Sequence, residues 1–367
     1  MKIINIVGAR PNFMKMAPII EAMNRYPDQI EHILVHTGQH YDQKMSKAFF
    51  EDLGMPKPDI DLEVGSGSHA EQTAKIMVAF EKVCLTEKPD LVIVVGDVNS
   101  TMACTITAKK LGIKVAHVEA GLRSRDMEMP EEINRLCTDV LCDYLFITDP
   151  IANTNLRSEG VDPEKIIFVG NVMIDTLVKQ KQAAEKLHTL DKLNLTKGNY
   201  ATLTMHRPSN VDDPIIFEGI LKALQKISNS IPIVFPIHPR TLKMAKEFGL
   251  LHYLNDGDTV KGIWITEPLG YLEFLNLNMN AKMVLTDSGG LQEETTVLGI
   301  PCITMRNNTE RPITCEMGTN VIVGNDPEKI LQAANKVLNN EWHKGQIPEK
   351  WDGKAATRIT EWLVSTQ

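Results

Sequence analysis

Three carboxylates stand where short apolar runs give way to turns. Asp97 lies in Gly96-Asp97-Val98-Asn99-Ser100-Thr101, directly after the run 91–95. Glu119 closes the run 115–118 and opens Glu119-Ala120-Gly121-Leu122-Arg123-Ser124. Glu131 sits in Met129-Pro130-Glu131-Glu132-Ile133-Asn134-Arg135. Carboxylates placed this way serve as general acids and bases. Each also has a plainer use. Asp97 precedes a helical stretch and suits a helix N-cap. Pro130 suits a first helical position, and the two glutamates suit its positive end. Glu131 and Arg135 are i,i+4 and share a helix face, as an ordinary surface pair would. Glu119 is the hardest to treat as incidental, because a carboxylate closing an apolar strand is costly to bury without a partner.

Cations and glycines gather at other run ends. Gly8-Ala9-Arg10-Pro11-Asn12-Phe13-Met14-Lys15 is a glycine turn entering a helix, with Arg10 and Lys15 in its opening turns. A helix N-terminus with two cations suits an anion. The turn is not GxGxxG, which disfavours a nicotinamide or flavin cofactor. His206-Arg207-Pro208 and His238-Pro239-Arg240 follow two later runs. In Thr286-Asp287-Ser288-Gly289-Gly290-Leu291-Gln292-Glu293-Glu294, bare backbone N–H groups at a helix start make a cradle for a diphosphate. Glu294, about one and a half turns in, is placed to accept hydrogen bonds from ribose hydroxyls. Arg306 and Arg311 follow the next run and are placed to close over phosphates.

These residues need a scaffold that brings strand ends together. Runs 3–7, 33–37, 91–95, 115–118, 144–147 and 166–169 are apolar on both faces, as buried parallel strands are. Helix-like stretches 17–24, 70–85 and 101–111 separate them. The rhythm restarts with runs 200–205, 232–237, 262–266, 282–286, 302–305 and 320–323. Two six-strand sets predict an α/β fold of two facing Rossmann-like domains with parallel sheets and a ligand between them. The expected limits are residues 1–172, carrying the acidic cluster, and residues 173–350, binding the nucleotide. Residues 351–367 are expected to form a helix that returns to the first domain.

Composition agrees with this class. The chain has 367 residues, enough for two domains, with 43% hydrophobic and 23% charged residues. A formal net charge of -8 argues against nucleic acid or anionic lipid as a general partner. The first apolar run is too short for a signal peptide, and no stretch is long enough for a membrane span. The six cysteines form no CxxC pair and read as buried, reduced thiols of a cytoplasmic protein.

Taken together, the motifs resemble the non-hydrolysing UDP-N-acetylglucosamine 2-epimerases. The resemblance runs from Gly8-Ala9-Arg10-Pro11 to Trp351-Asp352-Gly353-Lys354-Ala355. It is carried by the Gly96, His117-Val118-Glu119, Pro130, Asp287 and Thr309-Glu310-Arg311-Pro312 segments. It implies a glycosyltransferase-B-like architecture and reversible conversion of UDP-N-acetylglucosamine to UDP-N-acetylmannosamine in the cytoplasm, for surface glycans. It further implies Asp97, Glu119, Glu131 and His206 as the catalytic set. Arg10, Lys15, Arg135, His206 and Arg311 would handle UDP, with Ser288, Gly289 and Gly290 at the diphosphate and Glu294 at the ribose. Neither metal nor redox cofactor is required. A homodimer is the usual state of the family.

The chain departs from the family pattern in three places. Asn12-Phe13-Met14 replaces the usual Glu-Ala-Ile, and Ser209 stands where a glutamate is usual. Relatives with an aromatic in the first motif include enzymes resembling epimerases of diacetamido uronic-acid sugars. Gly65-Ser66-Gly67-Ser68 replaces a stretch where many bacterial members use a basic residue for a second, activating substrate. The alternatives are therefore a related UDP-diacetamido-uronic acid 2-epimerase, or a UDP-sugar glycosyltransferase on the same fold. A hydrolysing epimerase and a non-catalytic UDP-sugar sensor complete the set.

Overall fold

Ile3, Ile4, Ile6 and Val7 are buried, so the first apolar run meets water on neither face. In a computed structural model, which describes residues 1–38, 56–257 and 259–366, this run is the centre of strand β1 (Lys2–Val7). It is flanked by β2 (Glu31–His36) and β4 (Leu91–Val95). β3 (Ile60–Asp61), β5 (Lys114–Ala120), β6 (Tyr144–Ile147) and β7 (Ile166–Phe168) complete a seven-stranded sheet of order β3-β2-β1-β4-β5-β6-β7. The pairings are parallel throughout. Strand order reverses between β1 and β4, the switch point beyond whose carboxyl ends such sheets bind ligands.

Residues 1–179 with 349–367 form one compact unit, and residues 180–348 form another. The second unit has its own seven-stranded parallel sheet: β8 (Ala201–Thr204), β9 (Ile233–Pro236), β10 (Leu254–Asn255), β11 (Ile263–Thr266), β12 (Met283–Thr286), β13 (Cys302–Thr304) and β14 (Asn320–Ile322). Their order is β10-β11-β9-β8-β12-β13-β14, which puts the switch point between β8 and β12. Each unit has its own apolar core. Ile4, Val92, Val94 and Leu145 pack with Phe80 in the first, and Leu203, Phe217, Phe235 and Leu285 pack in the second.

All twelve apolar runs are strands. Among the described residues each sheet nevertheless has seven strands, not six, because β3 and β10 are two-residue edge strands too short to carry any periodicity. The first helix, Arg10–Met23, begins earlier than the apolar pattern suggests, with Pro11 in its first turn.

The C-terminal helix Ala355–Ser365 belongs to the first unit and packs on helix Arg10–Met23. The Trp362 ring meets Tyr144 and Phe146 edge-on at 4.8 and 5.4 Å. Asp175 accepts hydrogen bonds from Ala355 N and Ala356 N at 3.0 and 2.7 Å and so caps this helix from a distant part of the chain. All six cysteines are free. Among the described residues, no helix is long and apolar enough to cross a membrane.

Candidate active site

Glycine ends β4 because the chain must turn sharply there. Gly96 has φ +66°, and a Cβ on it would stand 2.8 Å from Lys15 Nζ. The next residue is Asp97. On the adjacent strand, the pairing of β5 with β6 shifts register between Val118 and Ala120, leaving Glu119 on a bulge. Glu119 has φ +75°, a left-handed conformation that costs a non-glycine residue about 1–2 kcal/mol. Such strain persists where the surroundings over-determine it, and it concentrates at functional sites. The bulge turns Glu119 toward helix Arg10–Met23, where its Oε2 lies 2.6 Å from Lys15 Nζ.

Helix Pro130–Leu141 supplies the rest of the cluster. Arg135 is fully buried and bridges two acids: Nη1 lies 2.6 Å from Asp97 Oδ2, and Nε 2.9 Å from Glu132 Oε2. Glu132 also accepts from Ser124 N and Arg125 N. Burial alone would raise the Glu132 carboxyl, but these backbone N–H groups and Arg135 hold it below the usual range. Asn134 donates to the Asp97 carbonyl at 2.8 Å.

Asp97 and Glu131 line one cavity of about 340 Å³. Asn99, Asn134, His69 and Gln72 share its wall, and Asn99 Nδ2 donates to Gln72 Oε1 at 2.8 Å. Ser66 and Gly67 also line it. The first unit therefore places Asp97 with Glu131 at a cavity and Glu119 with Lys15 at the neighbouring strand end. Arg10 opens its helix, but its side chain lies outside the described part of the structure.

In the second unit, the polar residues collect at the β8/β12 switch point. Asp287 is fully buried after β12, and its Oδ2 accepts from His206 N and Arg207 N, each at 2.8 Å. Its Oδ1 lies 3.1 Å from His206 Nδ1. Burial would raise the Asp287 carboxyl, but the histidine and the backbone N–H groups hold it low. Asp287 thereby orients the His206 ring, whose side chain is 47% exposed. The His238 ring stands 6.1 Å away. Desolvation, followed by the nearby charges of His206 and Arg240, pushes the His238 imidazole down.

Gly289 starts helix Gly289–Leu298, and a Cβ there would lie 2.6 Å from Glu310 Oε1 and 2.7 Å from Arg311 Nη1. Only glycine leaves room for that pair. Arg311 is also held by Glu293 at 2.8 Å, and Arg306 binds Glu310 at 2.9 Å. A buried guanidinium thus sits against a helix N-terminus, where the dipole and the N–H groups also favour an anion. Ser288 precedes this helix and Gly290 follows its first residue, both partly exposed. Glu294 is buried beside the Tyr271 hydroxyl, 3.3 Å from its Oε1. Burial pushes its carboxyl up to about 7, so near neutrality it both donates and accepts hydrogen bonds.

Motif reading missed the supporting residues. Glu132 holds Arg135 and Glu293 holds Arg311, yet both sit inside helices among ordinary polar positions, and Tyr271, which donates to Glu294, opens a helix of its own. The one available signal for Glu132 and Glu293 is that they share helices with residues already singled out, whereas the helix of Tyr271 carries none.

A family model described as UDP-N-acetylglucosamine 2-epimerase matches residues 21–364. A UDP-N-acetylglucosamine 2-epimerase of Methanocaldococcus jannaschii is 46% identical over 99% of each chain. A UDP-2,3-diacetamido-2,3-dideoxy-D-glucuronate 2-epimerase of Pseudomonas aeruginosa is 40% identical over 99% of each chain. The crystal structure of Methanocaldococcus jannaschii UDP-GlcNAc 2-epimerase in complex with UDP-GlcNAc and UDP superposes with a TM-score of 0.90 over 100% of both chains, at 45% identity.

Proposed function

The chain belongs to the UDP-N-acetylglucosamine 2-epimerase family, and we propose that it interconverts UDP-N-acetylglucosamine and UDP-N-acetylmannosamine. The chemistry explains the residue set. No carbonyl adjoins C2 of the sugar, so its proton is not acidic. Departure of UDP builds positive charge at C1, and the C2 proton then leaves to give a glycal. UDP adds back as a proton returns to the opposite face, which inverts C2.

This route needs cations on the departing diphosphate and acid–base groups for two faces of one carbon. We assign Asp97, Glu119 and Glu131 to proton transfer, with Asp97 and Glu131 sharing one cavity as the observation that carries the reading. His206, whose ring is oriented by Asp287, is assigned to the catalytic set as well. Arg10, Lys15, Arg135 and Arg311 are assigned to UDP. Ser288, Gly289 and Gly290 are assigned to the diphosphate and Glu294 to the ribose.

Incubation with UDP-N-acetylglucosamine in heavy water tests the reading. Deuterium at C2 of both epimers is expected, without an acceptor sugar. Absence of exchange on every UDP-N-acetylhexosamine tried would exclude it. Acceptor-dependent transfer would point to a glycosyltransferase.

The Pseudomonas aeruginosa relative keeps a second substrate class in view, a UDP-diacetamido uronic acid. Asn12, however, is buried with its Oδ1 accepting from Gly8 N and Ala9 N, and its Nδ2 donating to the Val95 carbonyl. Phe13 is buried with its ring 5.3 Å from His36. The unusual Asn12-Phe13 pair therefore serves the turn and the core. C2 exchange scored on both sugars decides between them.

We place the enzyme in the cytoplasm, in keeping with six unpaired cysteines. It is proposed to act as a homodimer. Helices His69–Glu87 and Pro130–Leu141 both pack on helix Asn99–Lys110 and leave Val78, Leu85, Ile133 and Val140 exposed, apolar side chains suited to contact with a second copy.

A further inference from the structure

A buried histidine–aspartate pair ties together the segments that carry the three carboxylates. His117, on β5, has no exposed surface. Its Nε2 donates to the Gly96 carbonyl at 2.8 Å, and its Nδ1 lies 2.6 Å from Asp139 Oδ1. The second Asp139 oxygen accepts from Gly121 N at 3.1 Å and Arg123 Nη1 at 2.7 Å. Asp139 is itself part of helix Pro130–Leu141, which bears Glu131.

Each bond falls beside a carboxylate. Gly96 is the residue before Asp97, in a left-handed conformation that leaves the following peptide free to swing unless it is held. His117 precedes the Glu119 bulge by two residues, and Gly121 follows it by two. The strained Glu119 backbone is thus gripped on both sides by one pair of side chains. Asn134, from the same helix, grips the Asp97 carbonyl. The pair is not an isolated buried charge, because Arg123 neutralises Asp139 and is itself bound by Glu159 at 2.6 and 2.9 Å.

We propose that His117 and Asp139 are positioning residues for the epimerisation, fixing the Asp97 peptide and the Glu119 bulge relative to the helix that carries Glu131. This rests on the function proposed above. Neither residue is assigned a contact with substrate. Both act through the backbone they hold, where a displacement near 1 Å lowers turnover by about 10²-fold.

The test compares His117→Gln with His117→Asn in the full-length enzyme, scoring C2 exchange, KM, UDP affinity and melting temperature. Glutamine reaches far enough to donate to the Gly96 carbonyl. Asparagine is too short and keeps only the Asp139 side. For His117→Asn, kcat is expected to fall about 10²-fold while the Kd for UDP stays within about threefold. His117→Gln should recover at least about tenfold of that loss. Asp139→Asn retains an oxygen toward the ring but loses its charge toward Arg123 and the ring. It should lower kcat without altering UDP affinity, which keeps the proposal testable if His117→Asn does not fold.

Unchanged kcat in His117→Asn, with wild-type exchange intact, would overturn the positioning role and leave the function standing. Equal losses in the Gln and Asn variants, with parallel falls in UDP affinity and melting temperature, would reduce the pair to a purely structural role. A wild-type enzyme that fails to exchange C2 would remove the function and the inference together.

Discussion

Lys15 Nζ lies 2.6 Å from Glu119 Oε2, with only 5% and 1% of the two side chains exposed. Both charges are out of water, so each depends on the other. Removing one partner of such a pair costs about 3–5 kcal/mol, because the charge left behind stays buried and loses its ion pair. Lys15→Met is therefore expected to lower unfolding stability by about that much, measured by urea titration. Glu119→Gln retains the shape and a hydrogen-bonding oxygen. It should destabilise less, hold UDP, and lose most C2 exchange. A Lys15→Met enzyme as stable as wild type would show that the pair is not energetically coupled.

Gly289→Ala tests the diphosphate assignment by steric means. The added methyl would lie 2.6 Å from Glu310 Oε1 and 2.7 Å from Arg311 Nη1, so the Glu310–Arg311 pair must move. Overpacking of this kind costs about 1–3 kcal/mol. Displacement of Arg311 from the helix start should weaken UDP binding by about tenfold or more, equivalent to about 1.4 kcal/mol. Calorimetric titration with UDP reads this directly. Unchanged affinity would take Gly289 and Arg311 out of the nucleotide site.

Glu294 makes stability depend on pH in a defined window. Burial raises its carboxyl from 4.5 to about 7, so the folded protein holds that proton more tightly than the unfolded chain does. The contribution is fully present below pH 4.5 and is lost as pH rises through about 7. Its size is roughly 3–4 kcal/mol at most. Glu294→Gln cannot titrate, so the difference in stability between wild type and variant should change across that window and flatten above it. Denaturant titrations at several pH values check this. A constant difference would mean that Glu294 is better solvated than its burial implies.

The architecture was legible because parallel strands buried on both faces leave runs that are apolar at every position, as 91–95 is. β3 and β10 were not legible, since two residues carry no period. Asp97, Glu119 and Glu131 could be read from their places at strand ends and a helix start. The device that aims Glu119 could not, because a positive φ and a bulge depend on how neighbouring strands pair. Asp139 shows the same limit. It lies mid-helix with nothing to mark it, and becomes significant only when folding brings it to His117. Asn12 and Phe13 carry a second lesson: as motif residues they raise the choice of sugar, and folding shows that they also brace a turn and fill a core.

Asp175 holds the C-terminal helix to the first unit, and its removal should release that helix selectively. Its two carboxylate oxygens accept from Ala355 N and Ala356 N, which would otherwise be orphan donors at a buried helix start. Loss of a helix cap costs about 0.5–2 kcal/mol. Asp175→Ala also leaves these buried N–H groups unmet, so the upper part of that range is expected. Burial raises the Asp175 carboxyl to about 6, so the wild-type contribution is itself greatest below pH 3.8 and declines as pH rises through 6. Hydrogen exchange near pH 5 should therefore show faster exchange across Ala355–Ser365 in the variant, with β8 and β12 of the second unit unchanged. Uniformly faster exchange in both units would mean that Asp175 supports the whole molecule and not this one attachment.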